Sequence, residues 1–220
     1  MWVGMTQLHT FDLPQRVLGI ELGCRMTVVE VCGELLLYSP IAIDPEVLAP
    51  LGVPRWVLSP NRLHHLYAGP WLERGLEGYA ARGLPERRPD LTFDHVVAEV
   101  CEPFGDDVRL IPLRCFSLTN EVVLFHRPSR TLVVTDLVFH FTEADPWLTR
   151  TAMWCSGAYP GCRASVLERV GMNRAIAREE IGGLLALDFD RLIPAHGAII
   201  ETGGREALRG AYHWLGLSEG

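Results

Sequence analysis

The segment 121–136 constrains the fold of this chain more than any other stretch. Two apolar runs rich in valine, leucine and phenylalanine, 121–126 and 131–136, flank the polar sequence Arg-Pro-Ser-Arg at 127–130. Runs of this kind on either side of a short polar segment predict two antiparallel β-strands joined by an exposed turn. Pro128 has no N–H to donate, so it fits the turn and not a strand ladder. The sequence therefore predicts a β-hairpin whose second strand ends at Asp136.

Histidine and aspartate side chains follow three of the strand-like runs. His64 and His65 come after a short apolar run, Asp136 ends the hairpin, and His196 follows a late apolar run. Strand ends meet at one rim of an α/β fold, and imidazole and carboxylate groups are metal ligands. We therefore predict that these four side chains converge on a metal site, although they lie far apart in sequence.

Structural interpretations of the same residues stay open at this point. The histidine pair could cap and pack a loop before a helix, Asp136 could cap the segment that follows it, and His196 could pack in a turn. Glu121, at the start of the hairpin, could be a metal ligand, a general base or the ion-pair partner of Arg127 or Arg130. The sequence does not choose between these alternatives.

Three further residues are candidates for the site. His140 lies four residues beyond Asp136 and could act there as a general acid or base. Asn61 and Arg62 precede the histidine pair and could bind a substrate, because a guanidinium suits a carboxylate or a phosphate. His126, beside the hairpin tip, is interpreted as structural.

Hydrophobic periodicity and turn signals predict helices that flank a sheet or a pair of sheets. With 220 residues and 48% hydrophobic content the chain can bury a full core, so we expect a single domain, 1–220. Segment 139–156 is expected to be an apolar helix or lid, and 84–89 a loop. Outside the hairpin, strands are predicted at 26–31, 34–38, 56–58, 108–112 and 189–194, and helices at 47–51, 66–73, 164–172, 175–187 and 205–215.

Charge composition excludes several classes of function. The formal net charge is −7, whereas a general nucleic-acid-binding protein carries a basic stripe, so no nucleic-acid partner is expected. All 20 basic residues are arginine. The absence of lysine rules out both a Schiff-base lysine and a P-loop lysine.

Signals for export or membrane insertion are absent from the sequence. The first nine residues have neither a basic segment nor a long apolar run, and no apolar stretch approaches the roughly 18–20 residues of a membrane span. None of the six cysteines belongs to a C-x-x-C pair, and most are expected to be buried thiols in a reducing cytosol. Cys155 and Cys162 are the one pair close enough in sequence to suggest a disulfide. We expect a cytoplasmic protein with no membrane partner.

The order of these motifs resembles that of the metallo-β-lactamase superfamily, and especially a poorly characterised branch found in bacteria, plants and fungi. Three motifs carry the resemblance: Pro-Asn-x-x-His-His at 60–65, Asn-Glu-Val-Val-x-x-His-x-x-Ser-x-Thr-Leu-x-x-x-Asp at 120–136, and His-Gly at 196–197. The middle motif is long and specific, and the similarity extends from about residue 26 to residue 201. The resemblance implies a four-layer αββα sandwich with a dinuclear metal site at one edge.

The first metal-binding motif of the superfamily, His-x-His-x-Asp-His, is altered in this chain. When this motif is aligned with residues 60–65, its first two histidines correspond to Pro60 and Arg62. A third histidine of the same metal site corresponds to Ser117. The resemblance therefore implies that one of the two metal sites is lost. The other site keeps its ligands, with an imidazole in place of one carboxylate: His64, His65, Asp136 and His196.

One zinc or iron ion with an open position for water is the cofactor that this ligand set implies. The implied function is a metal-dependent hydrolase of a small-molecule substrate, with Glu121 or His140 as the nearby acid or base. Asn61 and Arg62 would then bind the substrate. The loss of three ligands implies the alternative, a non-catalytic domain of the same fold that serves ligand binding or structure, without a metal.

Overall fold

A computed structural model describes residues 7–217, so most of the N-terminal segment in which no signal peptide is predicted lies outside the described residues. The strands in chain order are β1 (Leu8–Leu13), β2 (Arg16–Val17), β3 (Ile20–Glu21), β4 (Cys24–Val31), β5 (Glu34–Tyr38), β6 (Val53–Ser59), β7 (Glu77–Ala81), β8 (His95–Val97), β9 (Val108–Pro112), β10 (Val122–His126), β11 (Thr131–Val133), β12 (Phe139–Phe141), β13 (Gly161–Arg163) and β14 (Arg191–Ile193). The helices are α1 (Ala68–Glu73), α2 (Leu84–Arg87), α3 (Trp147–Cys155), α4 (Val166–Gly171), α5 (Arg174–Leu185) and α6 (Gly204–Ala211), with 3₁₀ turns at Pro45–Leu48 and His213–Leu215.

Two large sheets organise the chain. The first has the strand order β1-β4-β5-β6-β7-β8, and the second has the order β14-β11-β10-β9. Strands β5 to β8 run parallel to one another, and β11 pairs in parallel with β14. The carboxyl ends of these parallel strands carry the loops in which the candidate site residues lie.

The two sheets pack face to face, and helices cover their outer faces. Between the sheets lies an apolar layer to which both contribute, for example Leu36 and Leu58 from the first sheet and Leu124 from the second. Trp71 of α1 packs on the outer face of the first sheet, and Ile181 of α5 packs on the outer face of the second. The result is the predicted αββα sandwich.

The predicted hairpin is confirmed. Strands β10 and β11 are antiparallel, with Leu124 opposite Val133, and residues 128–130 at the tip are exposed. His126 bonds to Ser129 within the tip through its Nδ1 atom at 2.6 Å, so its structural interpretation is also confirmed. Because the chain reverses at this turn, β11 ends at the edge of the sandwich.

Three segments differ from the sequence-based expectation. Segment 139–156 is a strand and then a helix, because Pro146 disfavours helix at the residue before it and α3 begins only after the proline. Two large apolar side chains of this helix are exposed, Trp147 at 70% and Trp154 at 65%. Segment 84–89 contains α2, whose proline lies in the first turn, where proline is tolerated. The helix expected at 47–51 is a 3₁₀ turn at Pro45–Leu48.

Cysteines and hydropathy give two further results. All six cysteines are free, including Cys155 and Cys162, so the disulfide alternative is wrong. Within the described part of the chain, no helix is long and apolar enough to cross a membrane.

Candidate metal centre

Three of the four predicted ligands converge at one edge of the sandwich. His64 follows β6, Asp136 follows β11 and His196 follows β14, and all three strands end at the same edge. His64 Nε2 lies 3.1 Å from His196 Nε2, and Asp136 Oδ1 lies 3.5 Å from the first nitrogen and 3.6 Å from the second. Their side chains are only 10–12% exposed. Among residues 7–217 this is the one group of three or more potential ligands whose donor atoms lie this close together.

The spacing of these donor atoms fits a metal ion. Zinc–ligand bonds of about 2.0–2.2 Å in a tetrahedral site place neighbouring ligand atoms about 3.3–3.6 Å apart. The three distances of 3.1, 3.5 and 3.6 Å agree with that triangle to within about 0.2 Å. Two imidazoles and one carboxylate with a free face are also the ligand set of mononuclear iron(II) sites. The cluster therefore fits either ion, with space for water or substrate.

Hydrogen bonds hold both imidazoles with Nε2 toward the cluster. His196 Nδ1 donates to the carbonyl oxygen of Gly23 at 2.7 Å, which leaves the Nε2 lone pair of the neutral ring free. His64 Nδ1 lies 2.9 Å from Ser39 Oγ, and Phe139 stacks on the His196 ring at 5.7 Å between centroids. Metal-binding histidines typically have such a partner on the second nitrogen, because it fixes the ring and its tautomer.

Asn61 connects Asp136 to the histidine loop and is fully buried. Its Nδ2 donates to Asp136 Oδ2 at 2.7 Å and to Thr135 Oγ1 at 2.8 Å. Its Oδ1 accepts the backbone N–H groups of Leu63 and His64, both at 2.7 Å. Asn61 was predicted to bind substrate, but all four of these side-chain hydrogen bonds are made to Asp136, to its neighbour Thr135 and to the loop that carries His64.

Asp136 is held in its ionised form. Burial alone would raise the pKa of this carboxyl group, but His64 and His196 outweigh that effect and lower the pKa below its ordinary value. An ionised carboxylate between two imidazoles is the state that a cation requires.

Glu121 lies beneath the loop that carries Asp136 and not at the cluster. Its carboxylate accepts three backbone N–H bonds, from Thr135 at 2.6 Å, Asp136 at 2.8 Å and Leu137 at 2.9 Å. Burial, and then the charge of Asp136, raises the pKa of Glu121 to about 7. Both oxygens are engaged in holding the loop, so the geometry supports neither a metal ligand nor a general base.

The predicted ion pairs of Glu121 are also absent. Arg127 pairs with Glu102, and Arg130 pairs with Asp188 at 2.6 Å. A residue that the sequence suggested as catalytic is therefore a buried anchor for the backbone.

His65 is not brought into the cluster, in contrast to the prediction. Its Nδ1 lies 2.8 Å from Arg88 Nη1, and because a guanidinium only donates, this nitrogen is the acceptor. The neutral ring then carries its proton on Nε2. Burial, and then the positive charge of Arg88, lowers the pKa of His65, which favours this neutral form. His65 lines the same cavity as the cluster, but it is not among the three residues whose donor atoms converge.

The side chains of His140 and Arg62 also lie away from the cluster. His140 Nδ1 donates to the carbonyl oxygen of Ala198 at 2.9 Å, and the backbone N–H of His140 donates to the carbonyl oxygen of His196 at 3.3 Å. Arg62 Nη1 donates to the carbonyl oxygen of Ser117 at 3.1 Å, so two of the residues that replace the lost ligands are in contact. Neither His140 nor Arg62 lines the cavity in front of the cluster, and the structure offers no support for a catalytic or substrate-binding role.

Gly197 permits the close approach that places His196. Its φ is +83°, and a Cβ atom added there would lie 2.2 Å from the carbonyl oxygen of His140. Arg25, buried at the start of β4, donates through Nη1 to the carbonyl oxygens of Pro194 at 2.8 Å and of Gly197 at 2.9 Å. The backbone on both sides of His196 is thereby fixed.

Replacing Gly197 with alanine is expected to lower the free energy of unfolding by about 2–3 kcal/mol, because the positive φ and the clash with backbone both disfavour a side chain. Urea denaturation measures the effect. Gly183→Ala on α5 is the control, since nothing lies within 4 Å of the added Cβ and helix propensity predicts stabilisation by about 0.5–1 kcal/mol. Equal effects of the two substitutions would contradict this assignment.

A cavity of about 600 Å³ opens in front of the cluster. Its wall is largely apolar, and its charged side chains other than Asp136 are Arg87 and Arg88. Sequence reasoning treated 84–89 as a loop and missed both arginines. It also missed Ser39, which follows β5 beside the parallel strand β6 and could have been found by the same strand-end argument. Arg87 and Arg88 had no such signal, because they lie at the end of α2 and directly after it, and not at a strand end.

Comparison with known proteins identifies the fold. No protein-family profile matches the chain, and no curated protein matches it. Among solved structures, the FIM-1 metallo-β-lactamase from Pseudomonas aeruginosa, in its mono-zinc form, has a TM-score of 0.66 at 12% identity and covers 98% of this chain and 93% of its own. The DIM-1 metallo-β-lactamase has a TM-score of 0.64 at 13% identity, with coverages of 97% and 95%.

A neighbour with a different metal shares the fold as well. The chemotaxis sensor ODP, solved as a peroxy diiron species, has a TM-score of 0.59 at 16% identity and covers 87% of this chain and 85% of its own. At such identities the likeness concerns the fold. The chain has the metallo-β-lactamase fold along nearly its whole length, as the sequence motifs indicated.

Proposed function

We propose that the chain is a metal-dependent hydrolase of a small organic molecule, with one ion held by His64, Asp136 and His196. The observation that carries the proposal is the triangle of donor atoms, in which each ligand also has a hydrogen-bond partner behind it. Three protein ligands and an open position are typical of catalytic zinc sites, whereas structural sites are closed by four. A zinc or iron ion there would supply a Lewis acid and an activated water.

A single ion is proposed because none of the residues aligned with the second site, Pro60, Arg62 and Ser117, offers an imidazole. Proline has no donor atom on its side chain, and an arginine stays cationic and repels a second cation. Arg62 contacts Ser117, so a positive charge occupies the neighbourhood of the lost site. The solved neighbours include a mono-zinc form and a diiron form, which is why both metals enter the proposal.

The residues of the chain have distinct tasks in this proposal. A substrate that fills the cavity would displace water from its wall, which is largely apolar. His65, with its proton on Nε2, can donate a hydrogen bond to an oxygen on which negative charge develops. A cytoplasmic location and the absence of a nucleic-acid partner belong to the same proposal, on the grounds of six free cysteines and a net charge of −7.

Metal analysis of the full chain, purified without chelators, tests the proposal. We expect one zinc or iron ion per chain, lost in His196→Ala and Asp136→Ala because each removes a ligand. His65→Ala is the matched control. His65 lines the same cavity but is not a proposed ligand, so the variant is expected to keep the ion. Two ions per chain, none in the unsubstituted protein, or loss of the ion in His65→Ala would each overturn the assignment.

One observation favours the alternative of a non-catalytic domain. His64 Nε2 and His196 Nε2 lie 3.1 Å apart, which is also a hydrogen-bond distance, so the cluster can satisfy itself without a metal. The metal analysis separates the two functions, because a self-satisfied cluster would bind no stoichiometric ion.

A further inference from the structure

We propose that the cavity in front of the metal centre binds an amphiphile with an apolar body and an anionic head group, and that Arg87 pairs with the head group. The inference deepens the proposed function by naming its substrate class. It stands on the cavity wall and not on the metal, so it can be tested separately.

The apolar body is inferred from the lining of the cavity. Six apolar side chains from three separate parts of the chain meet there: Val17, Leu22, Leu63, Leu66, Tyr67 and Phe139. Three of them are exposed, namely Val17 at 45%, Leu63 at 40% and Leu66 at 59%. Apolar surface that is open to solvent and grouped on one concave wall is typical of a ligand site, whereas scattered exposed leucines are not.

The anionic head group is inferred from the charges on the same wall. Asp136 is the one acidic residue among those that line the cavity, and its carboxylate is already in contact with His64 and His196, at 3.5 and 3.6 Å. Arg88 is already occupied, because it forms two bonds to Asp90, at 2.6 and 2.8 Å, and a third to His65. Arg87 is exposed and its side chain forms no ion pair or hydrogen bond within residues 7–217. An unpaired arginine at an apolar cavity selects an anion.

The position of Arg87 sets how the amphiphile would lie. Arg87 belongs to α2, which follows a different strand from those that carry the cluster, yet both line the same cavity of about 600 Å³. An amphiphile anchored by its head group at Arg87 would extend its body along the apolar wall. A volume of this size accommodates a medium-length hydrocarbon chain.

Isothermal titration calorimetry with two probes of equal chain length tests the inference. Dodecanoate is the anionic probe and dodecyltrimethylammonium is the cationic one, both used below the concentration at which they form micelles. We expect the full chain to bind dodecanoate at least about fivefold more tightly, and Arg87→Ala to lose about fivefold in dodecanoate affinity. Arg82→Ala is the matched control, an exposed arginine close to α2 that does not line the cavity, and it is expected to bind like the unsubstituted protein.

A repeat of the titration after EDTA dialysis separates this inference from the proposed function. Retention of the dodecanoate preference in EDTA supports binding through Arg87, whether or not the protein carried a metal. Equal affinity for the two probes, an unchanged Arg87→Ala variant or a preference that disappears with EDTA would overturn the inference. The metal proposal would be untouched by these outcomes, since its own readout is metal content.

Discussion

Asn61→Ala is expected to lower the free energy of unfolding by about 3–5 kcal/mol and to weaken metal binding at least about tenfold. The side chain of Asn61 is fully buried, and it makes two donor and two acceptor bonds. Alanine leaves a buried carboxylate oxygen and two backbone N–H groups without these partners, and each unsatisfied group costs about 1–3 kcal/mol. Asp136 and the His64 loop would no longer be joined.

Urea denaturation and metal titration measure the two effects. Asn173→Ala is the matched control: the same substitution removes a side chain that accepts two backbone N–H bonds at the start of α5, but at the surface. It should cost about 1 kcal/mol, as the loss of a helix cap does, and leave metal binding unchanged. If Asn61→Ala lowered the free energy of unfolding no more than Asn173→Ala, the buried hydrogen bonds of Asn61 would not be what holds the cluster in place.

Glu121→Ala is expected to destabilise the fold by about 3–5 kcal/mol, because three buried N–H groups lose their acceptor. The loss is partly offset, since burial and the charge of Asp136 disfavour the ionised carboxylate and raise its pKa to about 7. Glu121→Gln keeps one acceptor oxygen and the volume of the side chain, so it should fall between the unsubstituted protein and the alanine variant.

Denaturation at fixed pH with both variants tests this order. Glu180→Ala serves as a control, since that carboxylate also accepts backbone N–H bonds, from Arg114 and Cys115, but its bonds to Arg114 are exposed, so water can replace the acceptor there. Its loss should cost about 1–2 kcal/mol. If Glu121→Ala were as mild as Glu180→Ala, the buried-anchor role of Glu121 would have to be abandoned.

Much of the architecture was predictable because it depends on local pattern. The alternation of apolar residues on both sides of 127–130 specifies two strands, and Pro128 specifies where they turn. Segment 139–156 was predicted as an apolar helix or lid, whereas its first part is β12 and Trp147 and Trp154 of α3 are exposed. Hydrophobic content indicates that a helix has an apolar face but not whether the fold covers that face.

Beyond the sandwich, which the resemblance of its motifs to a known family implied, the sequence by itself determined the hairpin and the strand ends that carry His64, Asp136 and His196. It could do so because strand periodicity and turn chemistry are encoded in neighbouring residues. Only the tertiary structure decided which of two adjacent histidines belongs to the cluster. His64 is directed there by the bonds of Asn61 to its loop, whereas His65 is hydrogen-bonded to Arg88, which directly follows α2 and lies 23 residues further along the chain. In an irregular loop no period assigns side chains to faces, so partners distant in sequence make that choice.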